Sequence, residues 1–126
     1  MTTSVKEMLA AANAAVPRIS AAEVKAMTGD ARVVLVDVRD GSEVKASGKA
    51  KGALHVSRGL LEFRADPESP MHDAAFDRAK TLVVYCASGG RSALAGKTLK
   101  EMGYADVRNL GGFKDWVEAG GEVDPG

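Results

Sequence analysis

The chain has a single cysteine, and the residues around it are those a reactive thiol needs. Cys86 closes the apolar run Thr81-Leu-Val-Val-Tyr-Cys86, Ala87-Ser-Gly-Gly-Arg91 follows at once, and an amphipathic stretch runs from Ser92 to Met102. A buried strand turning tightly into a helix aims successive backbone N–H groups at one point, which makes an anion-binding nest. The helix N-terminus adds a partial positive charge and Arg91 a full one. Gly89 and Gly90 can take the positive φ angles such curvature requires. A thiol in that setting favours its thiolate, within the broad pKa range of ~3.5–7.5 recorded for activated cysteines. A thiolate is a nucleophile at neutral pH. Cys86 is therefore the expected catalytic residue, and Ala87, Ser88, Gly89, Gly90, Arg91 and Ser92 are the expected substrate-binding loop.

Each of these residues also has a plainer reading. A cysteine after an apolar strand, taken alone, is an inert small hydrophobe; the glycine loop, Arg91 and the immediate helix argue otherwise. A cation at a helix N-terminus opposes the dipole, so Arg91 implies an anion partner. Ser88 is either a turn former or a hydroxyl donor to sulfur. Ser92 reads first as an N-cap, with a substrate contact as the alternative. Asp37 and Arg39 end a buried run and are expected to brace the loop through hydrogen bonds. His55 and His72 are far apart and lack zinc-ligand spacing with Cys86, so they read as ordinary strand and loop residues. Trp116 reads as core packing. A lone cysteine also excludes an internal disulfide and a CxxC site. No metal and no organic cofactor is expected.

The elements that must hold this loop follow from the apolar pattern. Ser20-Ala-Ala-Glu23 has capping-box spacing and opens a short helix ending near Gly29. Val33 to Val38 is a continuous β-branched run, as in a strand buried on both faces. Ser42 to Ser47 forms a helical turn, Ala53 to Val56 a short strand, and Leu60 to Arg64 a helical segment. Ala65 to Pro70 is a loop and Asp73 to Lys80 a short helix. Val107 to Leu110 is the last strand, Gly111-Gly112 a turn, and Phe113 to Ala119 a helix. Alternating strands and helices imply an α/β domain with a mainly parallel sheet covered on both faces. Residues 4–15 read as a helix loosely packed at the edge, so the chain divides into an N-terminal helical extension, 1–17, and a domain, 18–126.

Composition narrows the function classes. The 126 residues carry 17 Lys+Arg against 17 Asp+Glu, a net charge of +0, with 45% hydrophobic residues. That length suits one domain, and the balance argues against a nucleic-acid or membrane-surface binder. No run reaches the ~18 apolar residues of a membrane span. Lys6 is offset by Glu7 and Asn13 interrupts Met8 to Val16, so a secretory leader is disfavoured and the cytoplasm is the expected compartment.

Taken together, the segments resemble the rhodanese-like single-domain sulfurtransferases. Cys86-Ala-Ser-Gly-Gly-Arg-Ser92 is similar to that family's active-site loop. Val34-Leu-Val-Asp-Val-Arg39 with Glu43, Gly52-Ala-Leu-His-Val56 and Leu110-Gly-Gly-Phe-Lys-Asp-Trp116 resemble its other motifs, in order, over residues 18–121. The resemblance implies a three-layer α/β/α domain with a central, mainly parallel five-stranded sheet. It also implies transfer of a sulfane sulfur, through a persulfide on Cys86, from thiosulfate or a persulfide donor to a thiophilic acceptor such as cyanide or a thiol. The partners would be a small sulfur donor and acceptor, with a protein acceptor or a relay role in a larger assembly as the alternative. Ala87 stands where many thiosulfate-using members carry a basic residue, and Lys49 and Lys51 replace the histidine and proline of the GH[IV]PGA segment. Cysteine phosphatases and arsenate reductases on related folds use a loop one residue longer, because a tetrahedral oxyanion needs a wider ring of donors.

Overall fold

The computed structural model describes residues 2–125. Two helices come first, α1 (Val5–Ala15) and α2 (Ala21–Ala26), each opened by a capping box, Ser4 with Glu7 and Ser20 with Glu23. There follow β1 (Val33–Asp37), α3 (Gly41–Ser47), β2 (Lys49–Ala50), β3 (Leu54–His55), a 3₁₀ turn (Arg58–Leu60) and α4 (Leu61–Ala65). The second half holds β4 (Thr81–Cys86), α5 (Gly90–Glu101), β5 (Val107–Gly112), α6 (Phe113–Glu118) and β6 (Val123–Asp124).

The main sheet has the order β3-β1-β4-β5, all parallel, and β2 pairs antiparallel with β6 in a second sheet. A fifth full strand is not formed among the described residues. Its place beside β5 is held by a single parallel bridge between Arg18 and Asn109. Pro17 at that edge has no N–H to extend a ladder, although its carbonyl accepts from Asn109 N–H.

Strand residues alternate between two layers, as period-two geometry demands. Val36, Leu82, Val84, Cys86 and Val107 meet Val16, Leu61, Ala65, Ala95 and Leu99 on the side of α1, α4 and α5. Val83, Tyr85 and Leu110 meet Val24 and Trp116 on the side of α2 and α6. The result is the three-layer α/β/α arrangement. α1 is a working part of the first layer: Ala12 is fully buried, and Val16 lies against Gly96 of α5.

Two local expectations fail for identifiable reasons. Asp73 to Lys80 is a succession of turns, not a helix. The Asp73 and Asp77 carboxylates accept from the N–H groups of Ala75 and Ala79, which gives the backbone partners that compete with helical ones. Gly111-Gly112 is not a turn but the end of β5, paired with Tyr85 and Cys86. The ladder slips by one residue there, so Leu110 is extra and β5 bulges beside the cysteine.

Candidate active site

Cys86 sits at the C-terminal end of a central strand, where open parallel sheets place their ligands. The loop after it turns through Gly89, whose φ of +105° only glycine adopts freely, and α5 begins at Gly90. Ser92 therefore lies inside the first turn of the helix; Gly89 occupies the cap position that the sequence suggested for Ser92. This shift turns the Ser92 side chain inward. It is fully buried, and its hydroxyl oxygen lies 3.4 Å from Cys86 Sγ.

The sulfur is held by several donors. Gly89 N–H donates to Sγ at 3.0 Å. Burial pushes the Cys86 thiol up, but the Ser92 hydroxyl and the N–H groups of Ser92, Gly89 and Ser88 together outweigh it, leaving the thiol below its ordinary value. Ala87 and Ser88 are exposed and form the rim, while Gly89 is buried and Gly90 half-buried. The arrangement can carry a negative charge on sulfur and present it to a small electrophile at the rim.

Arg91 is close to this charge but has its own partner. Its guanidinium makes a bidentate pair with the Glu43 carboxylate of α3, at 2.7 and 3.0 Å. Glu43 also accepts from Asp40 N–H at 2.9 Å, and the Arg91 bond is the chief reason its carboxyl is lowered to about 2. The anion that Arg91 implied is thus supplied by the chain itself.

Asp37 and Arg39 are both buried and bonded to each other, with Arg39 Nη2 2.7 Å from Asp37 Oδ2. Their remaining side-chain bonds go elsewhere than the cysteine loop. Arg39 donates to the Gly48 carbonyl at 2.6 Å and to Ser47 Oγ at 2.9 Å, and Asp37 accepts from the Tyr85 hydroxyl at 2.7 Å. The bracing expected of them acts on the end of α3, the helix that carries Glu43, and so reaches Arg91 only indirectly. Tyr85 in turn accepts from Ala50 N–H at 3.0 Å. His55 bonds the Arg39 carbonyl at 2.8 Å, and Trp116 donates to the Glu122 carbonyl at 2.7 Å, as structural residues do.

Two residues near the sulfur went unassigned in the sequence. The local sequence around Glu43 offers it no partner, since Arg91 is 48 positions away. Asn109 is fully buried and bonds Ser92, Gly89 and Gly111. A polar residue two positions after Val107 in an apolar strand was its signal, since that spacing puts both on the α5 side. Gly112 also matters: a Cβ there would lie 2.5 Å from the Ala87 carbonyl oxygen. A depression of about 540 Å³ between α2 and α6, walled by Val24, Leu35 and Trp116, does not include Cys86. Chemistry rather than volume locates the site.

A parallel α/β/α sandwich whose lone thiol closes a central strand, under a glycine loop and a helix N-terminus, defines a class of α/β domains with a thiol at the ligand-binding end of the sheet. Within that class, the chain belongs to the rhodanese-like domain family, whose model matches residues 20–119. The thiosulfate:glutathione sulfurtransferase of Saccharomyces cerevisiae is 32% identical over 105 residues, covering 74% of this chain and 70% of the yeast protein. The human single-domain sulfurtransferase superposes with a TM-score of 0.69 at 29% identity, covering 82% of this chain and 96% of the human one. A Rhodopseudomonas palustris protein of unknown function, described as a possible tyrosine phosphatase, gives a TM-score of 0.91 at 41% identity, covering 98% and 96%. Among the described residues, no helix is long and apolar enough to cross a membrane.

Proposed function

We propose that the protein is a sulfurtransferase in which Cys86 takes a sulfane sulfur from thiosulfate or a persulfide donor and hands it to a thiophilic acceptor. The thiolate attacks the outer sulfur of the donor, a sulfur–sulfur bond forms at Cys86, and the donor leaves with the electron pair of the bond it loses. A second nucleophile, such as cyanide or a thiol, then removes that sulfur and restores the thiolate. The observation that carries this reading is the donor set on Sγ, with Gly89 N–H at 3.0 Å and Ala87 and Ser88 exposed beside it. Convergent donors of this kind stabilise a negative charge on sulfur.

Phosphatase chemistry is the second reading, prompted by the description of the Rhodopseudomonas relative. Four residues separate Cys86 from Arg91, one fewer than in the phosphatase loop, which leaves fewer N–H donors to ring a transferred phosphoryl group. The two are separated by one comparison. Incubation with thiosulfate is expected to add the mass of one sulfur atom to the wild type, removable by cyanide, and none to Cys86→Ser. Hydrolysis of an aryl phosphate that depends on Cys86, with no sulfur adduct from any sulfane donor, would replace this reading by the other.

A further inference from the structure

Asn109 is buried in β5, and the function proposed above gives it no role. Two backbone groups fix its orientation. Gly111 N–H donates to Oδ1 at 2.9 Å, and Nδ2 donates to the Gly89 carbonyl at 3.2 Å. A peptide N–H can only donate and a carbonyl can only accept, so turning the amide over would lose both bonds. Ser92 Oγ lies 2.8 Å from the same Oδ1. An amide oxygen has no proton to give, so the single proton of the Ser92 hydroxyl lies on that line. Toward Cys86 Sγ, 3.4 Å away, Ser92 therefore presents a lone pair.

We propose that Asn109 is a positioning residue that holds the Ser92 proton away from Cys86, so that Ser92 accepts from the resting thiol and donates to sulfur only after the thiol proton has left. At rest the chain runs from Cys86 S–H to Ser92 Oγ, and from Ser92 O–H to Asn109 Oδ1. When the thiol proton passes to solvent, the electron pair stays on sulfur. The Ser92 hydroxyl then rotates, giving up its bond to Asn109 and forming one to the thiolate. Only the S–H bond is broken covalently. A Cys86 that carries a second sulfur has neither the proton nor the full charge at Sγ, so Ser92 stays with Asn109. Asn109 thereby favours the loaded cysteine over the free thiolate. This last consequence rests on the sulfur-transfer reading; the hydrogen-bond assignment does not.

The other charged groups around the loop are Arg91 paired with Glu43, Arg18 lying against Gly89 and Gly111, and Asp115 accepting from Gly112 N–H. Tyr85, Asp37 and Arg39 lie on the opposite face of the sheet from Ser92. None of these charged groups is hydrogen-bonded to Ser92 or Asn109 among the described residues.

The test is a titration of the thiolate, by its ultraviolet absorbance and by iodoacetamide alkylation rate against pH, with no sulfur donor present. It therefore reads independently of whether sulfur transfer occurs. Ser92→Ala is expected to lower the thiolate fraction at a given pH by less than about fivefold, because Ser92 gains its bond to the thiolate only by giving up its bond to Asn109. Asn109→Leu is expected to raise that fraction about tenfold by freeing Ser92 to donate, and the gain is expected to vanish in the Ser92→Ala/Asn109→Leu double variant. A larger loss in Ser92→Ala would mean that Ser92 already donates freely, and the proposal would fall. No gain in a folded Asn109→Leu, or a gain that survives in the double variant, would equally overturn it. Trp116 fluorescence and circular dichroism report whether Asn109→Leu folds; where it does not, Ser92→Ala alone decides.

Discussion

At the scale of the residue, the site is a contest between burial and hydrogen bonding. Cys86 is 1% exposed, which by itself favours the neutral thiol, and the convergent donors of the loop reverse that preference. The Glu43–Arg91 pair shows the same physics from the side of a carboxylate. Its bond to Arg91 holds the Glu43 carboxyl at about 2, below its ordinary 4.5. A group whose folded value is depressed stabilises the folded state above its unfolded value, and loses that contribution as pH falls through the folded one. The wild type is accordingly expected to lose stability between about pH 4.5 and pH 2 that Glu43→Gln lacks from the start. Urea midpoints measured over that interval should converge at the acid end and separate above it. Parallel curves would show that the pair contributes nothing, as many exposed ion pairs do.

At the scale of the element, close approach between β5, the cysteine loop and the helices is made possible by missing side chains. The Ala87 carbonyl packs where a Gly112 Cβ would be, so Gly112→Ala must push the loop away from β5. A misplacement on the order of 1 Å at a reacting group can cost up to roughly a hundredfold in rate. Gly112→Ala is expected to lower sulfur transfer by at least about tenfold, with an unchanged far-ultraviolet spectrum. Full activity would mean that the carbonyl yields without moving Cys86. Gly96 plays the corresponding part for α1, since a Cβ there would sit 3.0 Å from both Val16 methyl groups and 3.4 Å from Val107. Gly96→Val is expected to cost about 1–3 kcal/mol by overpacking. A urea midpoint equal to the wild type would show α1 to be displaceable without loss.

At the scale of the whole molecule, the buried Asp37–Arg39 pair links parts distant in sequence. Through it β1 is joined to Tyr85 of β4, to the end of α3 at Ser47 and Gly48, and to Phe113 of α6, whose ring centroid lies 4.3 Å from the Arg39 guanidinium carbon. Removing one member of such a pair leaves a buried charge without its counterion, which costs about 3–5 kcal/mol. Arg39→Leu is expected to destabilise by that amount, and Asp37→Leu/Arg39→Leu by less than the sum of the single changes. Unfolding followed by Trp116, the chain's one tryptophan, reads both. Additive losses would mean that the two side chains act independently.

What could be read from the amino-acid string is what short-range chemistry dictates. Val33 to Asp37 and Thr81 to Cys86 are strands because apolar, β-branched residues dominate both runs and seek burial on the two faces of a sheet. Ser20 and Glu23 cap a helix because their spacing satisfies its free N–H groups, and Cys86 is singled out because a glycine loop and a helix start follow it. Even the anion owed to Arg91 was legible as a requirement. Its identity was not, because Glu43 lies 48 positions away and reaches Arg91 only once α3 is folded back beside the loop. The same holds for Arg39, which local reasoning aimed at the cysteine loop and which tertiary packing turned toward Gly48. It holds also for Asp73 to Lys80, where side-chain turns won over a weak helical pattern. Asn109 came within reach of Ser92 and Gly89 only through the pairing of β5 with β4 and the bulge at Leu110. Strand register and side-chain orientation at the end of a sheet depend on contacts between distant segments, and no local pattern encodes them.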